Sequence, residues 1–142
     1  MVSISVVDGE GDLTDAFAVR QTVFVDEQGV DEAIEYDDND GDATHVVAYD
    51  DGEAIGTARL RATEEATGKV ERVSVLAAYR EQGIGQLLMD AIEEQAREAG
   101  FERLKLHAQT RAAGFYETVG YERYGEAFEE AGIPHVAMEK EL

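Results

Sequence analysis

The chain has 142 residues, 44% of them hydrophobic, with 32 acidic side chains against 12 basic ones and a formal net charge of -20. That length suits one domain with its own core, and the aliphatic content excludes a disordered acidic chain. The lack of cysteine excludes disulfides, thiolate metal sites and a cysteine nucleophile, and the acidity argues against nucleic acid and membrane as partners.

The segment VSISVV alternates apolar and polar residues and predicts an edge strand. Asp12 or Thr14 then caps a helix running to about Val25, with Leu13, Phe17, Val23 and Phe24 on its apolar face. EQGVDEAIEYDDNDGDA follows as a polar connection. Its DDNDGD stretch superficially resembles a calcium loop. Setting Gly41 as the loop glycine, however, leaves Tyr36 and Val47 where carboxylates are required, so a solvated turn is expected. ATHVVAYDDGEAIGTARLRAT reads as two strands joined at the Asp-Gly turn. After a loop near Glu64 to Gly68, KVERVSVL is a third strand.

From Gln82 to Ala99, residues Ile84, Leu87, Leu88, Ala91, Ile92 and Ala96 recur at helical spacing, and Gly100 offers a stop. RLKLHAQ is the next strand, TRAAGFYETVG a short helix, and YERYGE and HVAMEKEL the closing strands. A strand, helix and strand within about 40 residues make a βαβ unit with parallel strands. The expected fold class is α/β, a mixed and mostly antiparallel sheet with a central parallel βαβ unit in one domain over residues 1–142.

Charge is distributed unevenly. Between Ala66 and Phe115 seven acidic and seven basic residues balance, and this neutral stretch contains YREQGIGQLLM, residues 79 to 89. At a strand-to-helix turn, unpaired N–H groups face outward at the positive end of the helix dipole, and glycines admit an anion close to the backbone. The spacing Arg80-Glu81-Gln82-Gly83-Ile84-Gly85 lacks the third glycine of a dinucleotide fold and the Lys-Ser/Thr of a P-loop.

It resembles the acyl-CoA signature of the GCN5-related N-acetyltransferases, and FYETVGY, Phe115 to Tyr121, is similar to a second mark of that superfamily. VFVDEQGVDEAIEYDDND, THVVAY, GTARLR, ERVSVL, LHAQ and EAFEEAGIPHVAM extend the resemblance to its ElaA-like branch. The resemblance implies that the strand at Val70 to Leu76 parts from that at Arg103 to Gln109 and leaves a slot for acetyl-CoA. It implies that Val73, Ser74 and Val75 bind pantetheine through their backbone, and that Arg80, Glu81, Gln82, Gly83, Ile84 and Gly85 hold the pyrophosphate. Gln109 stands where many relatives have an asparagine that contacts the cofactor. Tyr116 is expected to contact the cofactor and to protonate the departing thiolate.

Two residues are candidates for the base. Glu71 shares a face with Val73 if the strand pairing is regular, with an ion pair to a nearby arginine as the alternative. His107 stands near the free end of the second slot-forming strand, with a structural histidine as the alternative. The three histidines match no metal motif, so no metal is expected. The acceptor is expected to be a small-molecule amine or a peptide, attracted in one reading by Glu32, Glu35 and Asp37. A non-catalytic acyl-CoA sensor is one alternative. Another, carried by RQTVFVDEQG, is an acyl-homoserine-lactone synthase. The oligomeric state is open, a homodimer being one option. Only three lysines stand against nine arginines, and with acids in every segment this reads as the surface of a halophile's protein. The opening MVSISVVDGEGD has no leader pattern, so a cytoplasmic location is expected.

Overall fold

The computed structural model describes residues 1–142, apart from the side chains of Ala33 and Ile34. Strand β1 (Val2–Asp8) pairs antiparallel with β2 (Thr44–Asp50), and β2 with β3 (Glu53–Glu64). The β2–β3 turn places Asp51 at φ 49° and Gly52 at φ 87°, the positive pair that a two-residue hairpin requires. β3 runs on to Glu64, and β4 (Thr67–Val75) begins after only two residues, with Ala66 at φ 58°. The loop expected near Glu64 to Gly68 is therefore a tight turn, since both strands extend into it.

α3 (Ile84–Glu98) crosses from β4 to β5 (Arg103–Gln109), and these two strands are parallel. β6 (Glu122–Glu130) and β7 (Ile133–Glu141) close the chain as a hairpin longer than its sequence pattern suggests. The seven strands form one sheet in the order β1-β2-β3-β4-β5-β7-β6, a mixed α/β architecture with a single parallel pair.

Ile84, Leu88, Met89, Ile92 and Ala96 of α3 are buried against Val46, Leu60, Val70, Leu104 and Leu106 of the sheet. Each such aliphatic side chain contributes about 1.5–3 kcal/mol on burial. Leu87, one of the expected apolar positions, is exposed because it lies at the edge of the helical stripe.

α1 (Thr14–Arg20) continues without a break as a π-helical turn to Glu27, two residues beyond the expected end. Leu13 is its N-cap, and Asp12 instead accepts bonds from the Thr14 N–H and hydroxyl at 3.0 and 2.6 Å. The polar connection after it holds a short helix, α2 (Glu32–Glu35). A second short helix, α4 (Ala113–Thr118), links β5 to β6. Among the described residues no helix is long and apolar enough to cross a membrane.

Candidate active site

β4 and β5 pair from Thr67↔Arg103 only as far as Val70↔Leu106. Beyond that point β4 keeps its β3 partner, through Thr57↔Ser74 and Gly56↔Val75, but has none on the β5 side. Backbone groups of the 73–75 segment that face β5 thus have no strand partner on that side. A cavity of about 560 Å³ lies along this opening, lined by Val73, Ser74, Val75, Arg80, Gln109 and Tyr116 toward one end and by Arg61, Lys69, Glu71 and His107 among others.

The opening has a local cause. Arg72 adopts φ 57°, and the β3–β4 register shifts between Thr57 and Arg59 so that one extra residue bulges from β4. Sequence reasoning assumed regular pairing here and missed the bulge, because an arginine in the left-handed region carries no turn signal.

At the β4–α3 turn Glu81 and Gly83 have φ 65° and 80°. The first bond of α3 is from Leu87 N–H to the Gly83 carbonyl, 3.2 Å, so the N–H groups of Ile84, Gly85 and Gln86 have no partner inside the helix. A Cβ on Gly83 would meet nothing within 4 Å, which leaves space for an approaching anion. Gly85 differs: a Cβ there would lie 3.0 Å from the Phe115 ring, so this glycine admits an aromatic side chain of the protein itself. The donor set fits a pyrophosphate.

Arg80 is engaged by the protein. Its guanidinium donates to both Glu27 carboxylate oxygens at 2.6 and 2.7 Å, and its Nε donates to the Val75 carbonyl at 2.9 Å. The Gln82 side chain donates to the Ala78 carbonyl, 3.2 Å. Across the slot, Gln109 donates to the Gln28 side chain at 2.8 Å and accepts from Arg111 at 2.9 Å. Glu27 and Gln28, at the end of the π-helical turn, therefore reach both sides of the opening. Sequence reasoning singled out their stretch, RQTVFVDEQG, but gave them no such role.

Tyr116 is 8% exposed and packs edge-on to Phe115 and Tyr121. Burial pushes its pKa upward. His107 borders the same cavity, its Nδ1 3.2 Å from Glu130 and its ring edge-on to Phe128 at 4.9 Å. Glu130 also reaches His135, 3.7 Å away. The Glu130–His107 contact escaped sequence reasoning because the partners are 23 residues apart, with α4 and most of β6 between them.

Glu71 takes the ion-pair alternative. Its carboxylate meets Arg59 at 2.7 Å, Arg61 at 2.5 Å and Lys69 at 3.4 Å, with only 11% of the side chain exposed. Burial alone would raise its pKa, but the Arg61 hydrogen bond and the charges of Arg59 and Lys69 prevail and hold it at about 2. A carboxylate held so firmly ionised is a poor acceptor for a proton from an ammonium group, and the general-base role is withdrawn.

The expected solvated turn is likewise corrected. Asp37 and Asp40 chelate the buried Arg59, and Arg20 joins Glu35 and Asp40 at 2.7 Å each. Arg72 contacts Glu35 and Asp37 at 3.3 and 3.2 Å. Burial opposes ionisation of Asp37, yet the Arg59 hydrogen bonds keep its carboxyl well below the usual range. Glu35 and Asp37 are thus neutralised internally and cannot attract an amine as the sequence reading had it. His45 is buried with its Nε2 3.0 Å from the Asp40 carbonyl, away from the cavity.

A mixed sheet opened between its parallel strands, with a glycine turn feeding the crossover helix, defines the class of N-acyltransferases. Residues 12–142 match the acetyltransferase (GNAT) domain, and the chain belongs to that family, whose members transfer acetyl groups from acetyl-CoA to amines. It is 44% identical over 143 residues to a Bacillus subtilis (strain 168) protein that carries an acetyltransferase name, covering 99% of this chain and 97% of that one. The uncharacterized N-acetyltransferase YjcF of the same organism is 39% identical over 137 residues, with coverage of 96% and 97%. The crystal structure of Escherichia coli ElaA superposes with a TM-score of 0.85 at 27% identity, covering 99% of each chain.

Proposed function

We propose that residues 1–142 work as one N-acetyltransferase domain that moves an acetyl group from acetyl-CoA to the amine of a small molecule or peptide by direct attack in a ternary complex. The observation that carries this reading is the cavity along the β4–β5 opening, which has Val73 to Val75, Arg80, Tyr116 and His107 in one lining. The turn at 81–86, with its unpaired N–H groups, fits the pyrophosphate, and the unpaired side of residues 73–75 fits pantetheine. Acetyl-CoA supplies the acetyl group as a thioester.

His107 takes the proton of the acceptor ammonium at Nε2, with Nδ1–H donated to Glu130, which fixes the tautomer. The freed amine forms its bond to the acetyl carbon as the carbon–sulfur bond breaks. Tyr116, kept in its protonated form by burial, donates its phenolic proton to the leaving sulfur and is reprotonated by the second proton that the nitrogen sheds as the amide forms. No covalent enzyme intermediate is involved. The reading is tested by CoA-thiol release and mass detection of acetylated product across pooled amines, amino acids and peptides at high KCl. Tight acetyl-CoA binding without product from any pool would favour the sensor reading instead.

A further inference from the structure

On one face of the sheet, Arg61 stands directly opposite Lys69 in the β3–β4 register, and Lys69 opposite Lys105 in the β4–β5 register. Like charges in opposed positions destabilise a sheet. The chain has only 12 cationic residues against 32 acids, yet three of them form this row. Lys105 has compensation, from Glu64 at 3.5 Å and from Glu139 opposite it on β7. Arg61 and Lys69 have less: among the described residues each has only Glu71 within 4.0 Å, and Glu71 is shared with Arg59.

Among the described residues Arg59, Arg61 and Lys69 thus share one carboxylate, Glu71. Of these three, Arg59 is fully buried, while Arg61 and Lys69 line the cavity with 24% and 22% of their side chains exposed.

We propose that Arg61 and Lys69 bind an oxyanion of the acceptor, so that the substrate is an amine that also carries a carboxylate or a phosphate. This rests on the N-acetyltransferase reading above. His107 lies two residues beyond Lys105 on β5, and side chains two apart share a face. Strand geometry puts the Lys69 and His107 Cα atoms roughly 8 Å apart. The amine and the oxyanion of the acceptor are therefore separated by a few bonds, as in an amino acid or an aminoalkyl phosphate. Charge-assisted hydrogen bonds to the oxyanion supply the discrimination.

The test compares matched pairs by CoA release: amino acids against their amides, ω-amino acids against the corresponding amines, and 2-aminoethyl phosphate against ethanolamine. The acid members are expected to show kcat/KM at least about tenfold above their neutral partners. Whether the carboxylate or the phosphate pairs respond more strongly identifies the oxyanion. Lys69→Gln and Arg61→Gln should raise KM for the preferred acid about 10- to 100-fold with little change in KM for acetyl-CoA, and Lys69→Arg should retain most of the preference. Neutral partners that turn over as well as the acids overturn the proposal. In parallel, inorganic phosphate is titrated calorimetrically into the CoA-saturated protein. Binding that weakens in both glutamine variants supports the anion site, and binding unchanged in both overturns it. Should no pair release CoA, the acetyltransferase reading and the acceptor assignment fall together, while the phosphate titration still decides whether the anion site exists.

Discussion

Replacing Glu71 with glutamine preserves the size of the side chain and removes the charge that three cations share. The carboxyl titrates at about 2 instead of its ordinary 4.5. At about 1.4 kcal/mol per tenfold change in proton affinity, this corresponds to about 3 kcal/mol of folding stability at neutral pH. The side chain is only 11% exposed, so solvent screening removes little of it. A second route gives a similar figure: removing one partner of a buried ion pair costs about 3–5 kcal/mol, because the remaining charge, here on fully buried Arg59, loses compensation. For a chain of this length that is a fall in Tm of about 10 °C.

Because the folded-state pKa is depressed, this contribution is fully present above pH 4.5 and is lost as pH falls toward 2. The gap between parent and Glu71→Gln, measured by urea unfolding at a series of pH values, should be constant from pH 7 to 5. By pH 3 it should shrink to about half or less. Carboxyls outside the network cancel in the comparison. A gap below about 1 kcal/mol at pH 7, or one of equal size at pH 7 and 3, would refute the assignment of Glu71 to a structural ion pair.

Three further outcomes are expected. Tyr116→Phe keeps the ring packing and deletes the proton, so kcat should fall about 10²-fold while Tm and acetyl-CoA affinity hold; equal turnover under chemistry-limited conditions would remove Tyr116 as the acid. Gly85→Val should cost about 1–3 kcal/mol by driving a branched side chain into the Phe115 ring, and Phe115→Leu in the same protein should recover part of that loss; a Gly85→Val protein as stable as the parent in urea unfolding would refute the contact. With a net charge of -20, Tm should climb between dilute buffer and 1 M KCl, as the Debye length shrinks from about 30 Å at 0.01 M to about 3 Å; a flat profile would argue against salt adaptation and for charge that serves a basic partner.

Periodicity made most of the fold legible. The alternation in VSISVV, the Asp51-Gly52 turn and the helical spacing from Ile84 to Ala96 are local signals, and each element formed where its pattern lay. RLKLHAQ became β5 residue for residue. Strand ends were less legible, because β3, β4, β6 and β7 extend through polar residues that pair across the sheet without any apolar signature. In the candidate site, the positive-φ turn at Gly83 and the helix carrying Tyr116 lie in motifs that are contiguous in the chain. The partners of Arg80, His107 and Glu71 do not, because Glu27, Glu130 and Arg59 reach them only through tertiary packing. Opposite charges in DDNDGD and on β3 left no periodic trace, so Asp37 and Asp40 read as solvated when they neutralise a buried arginine.

The contact of Gly85 with Phe115 ties together the two sequence marks by which the chain resembles its family. They are separate words in the sequence and a single joint in space, a helix start seated on the ring of α4. Such a joint imposes covariation: where evolution places alanine at position 85, the residue at 115 has to shrink or tilt its ring, and with it moves the neighbouring Tyr116, whose ring packs edge-on at 5.1 Å. A change of one methyl group in the turn proposed to hold the pyrophosphate is thereby transmitted to the orientation of the Tyr116 phenol.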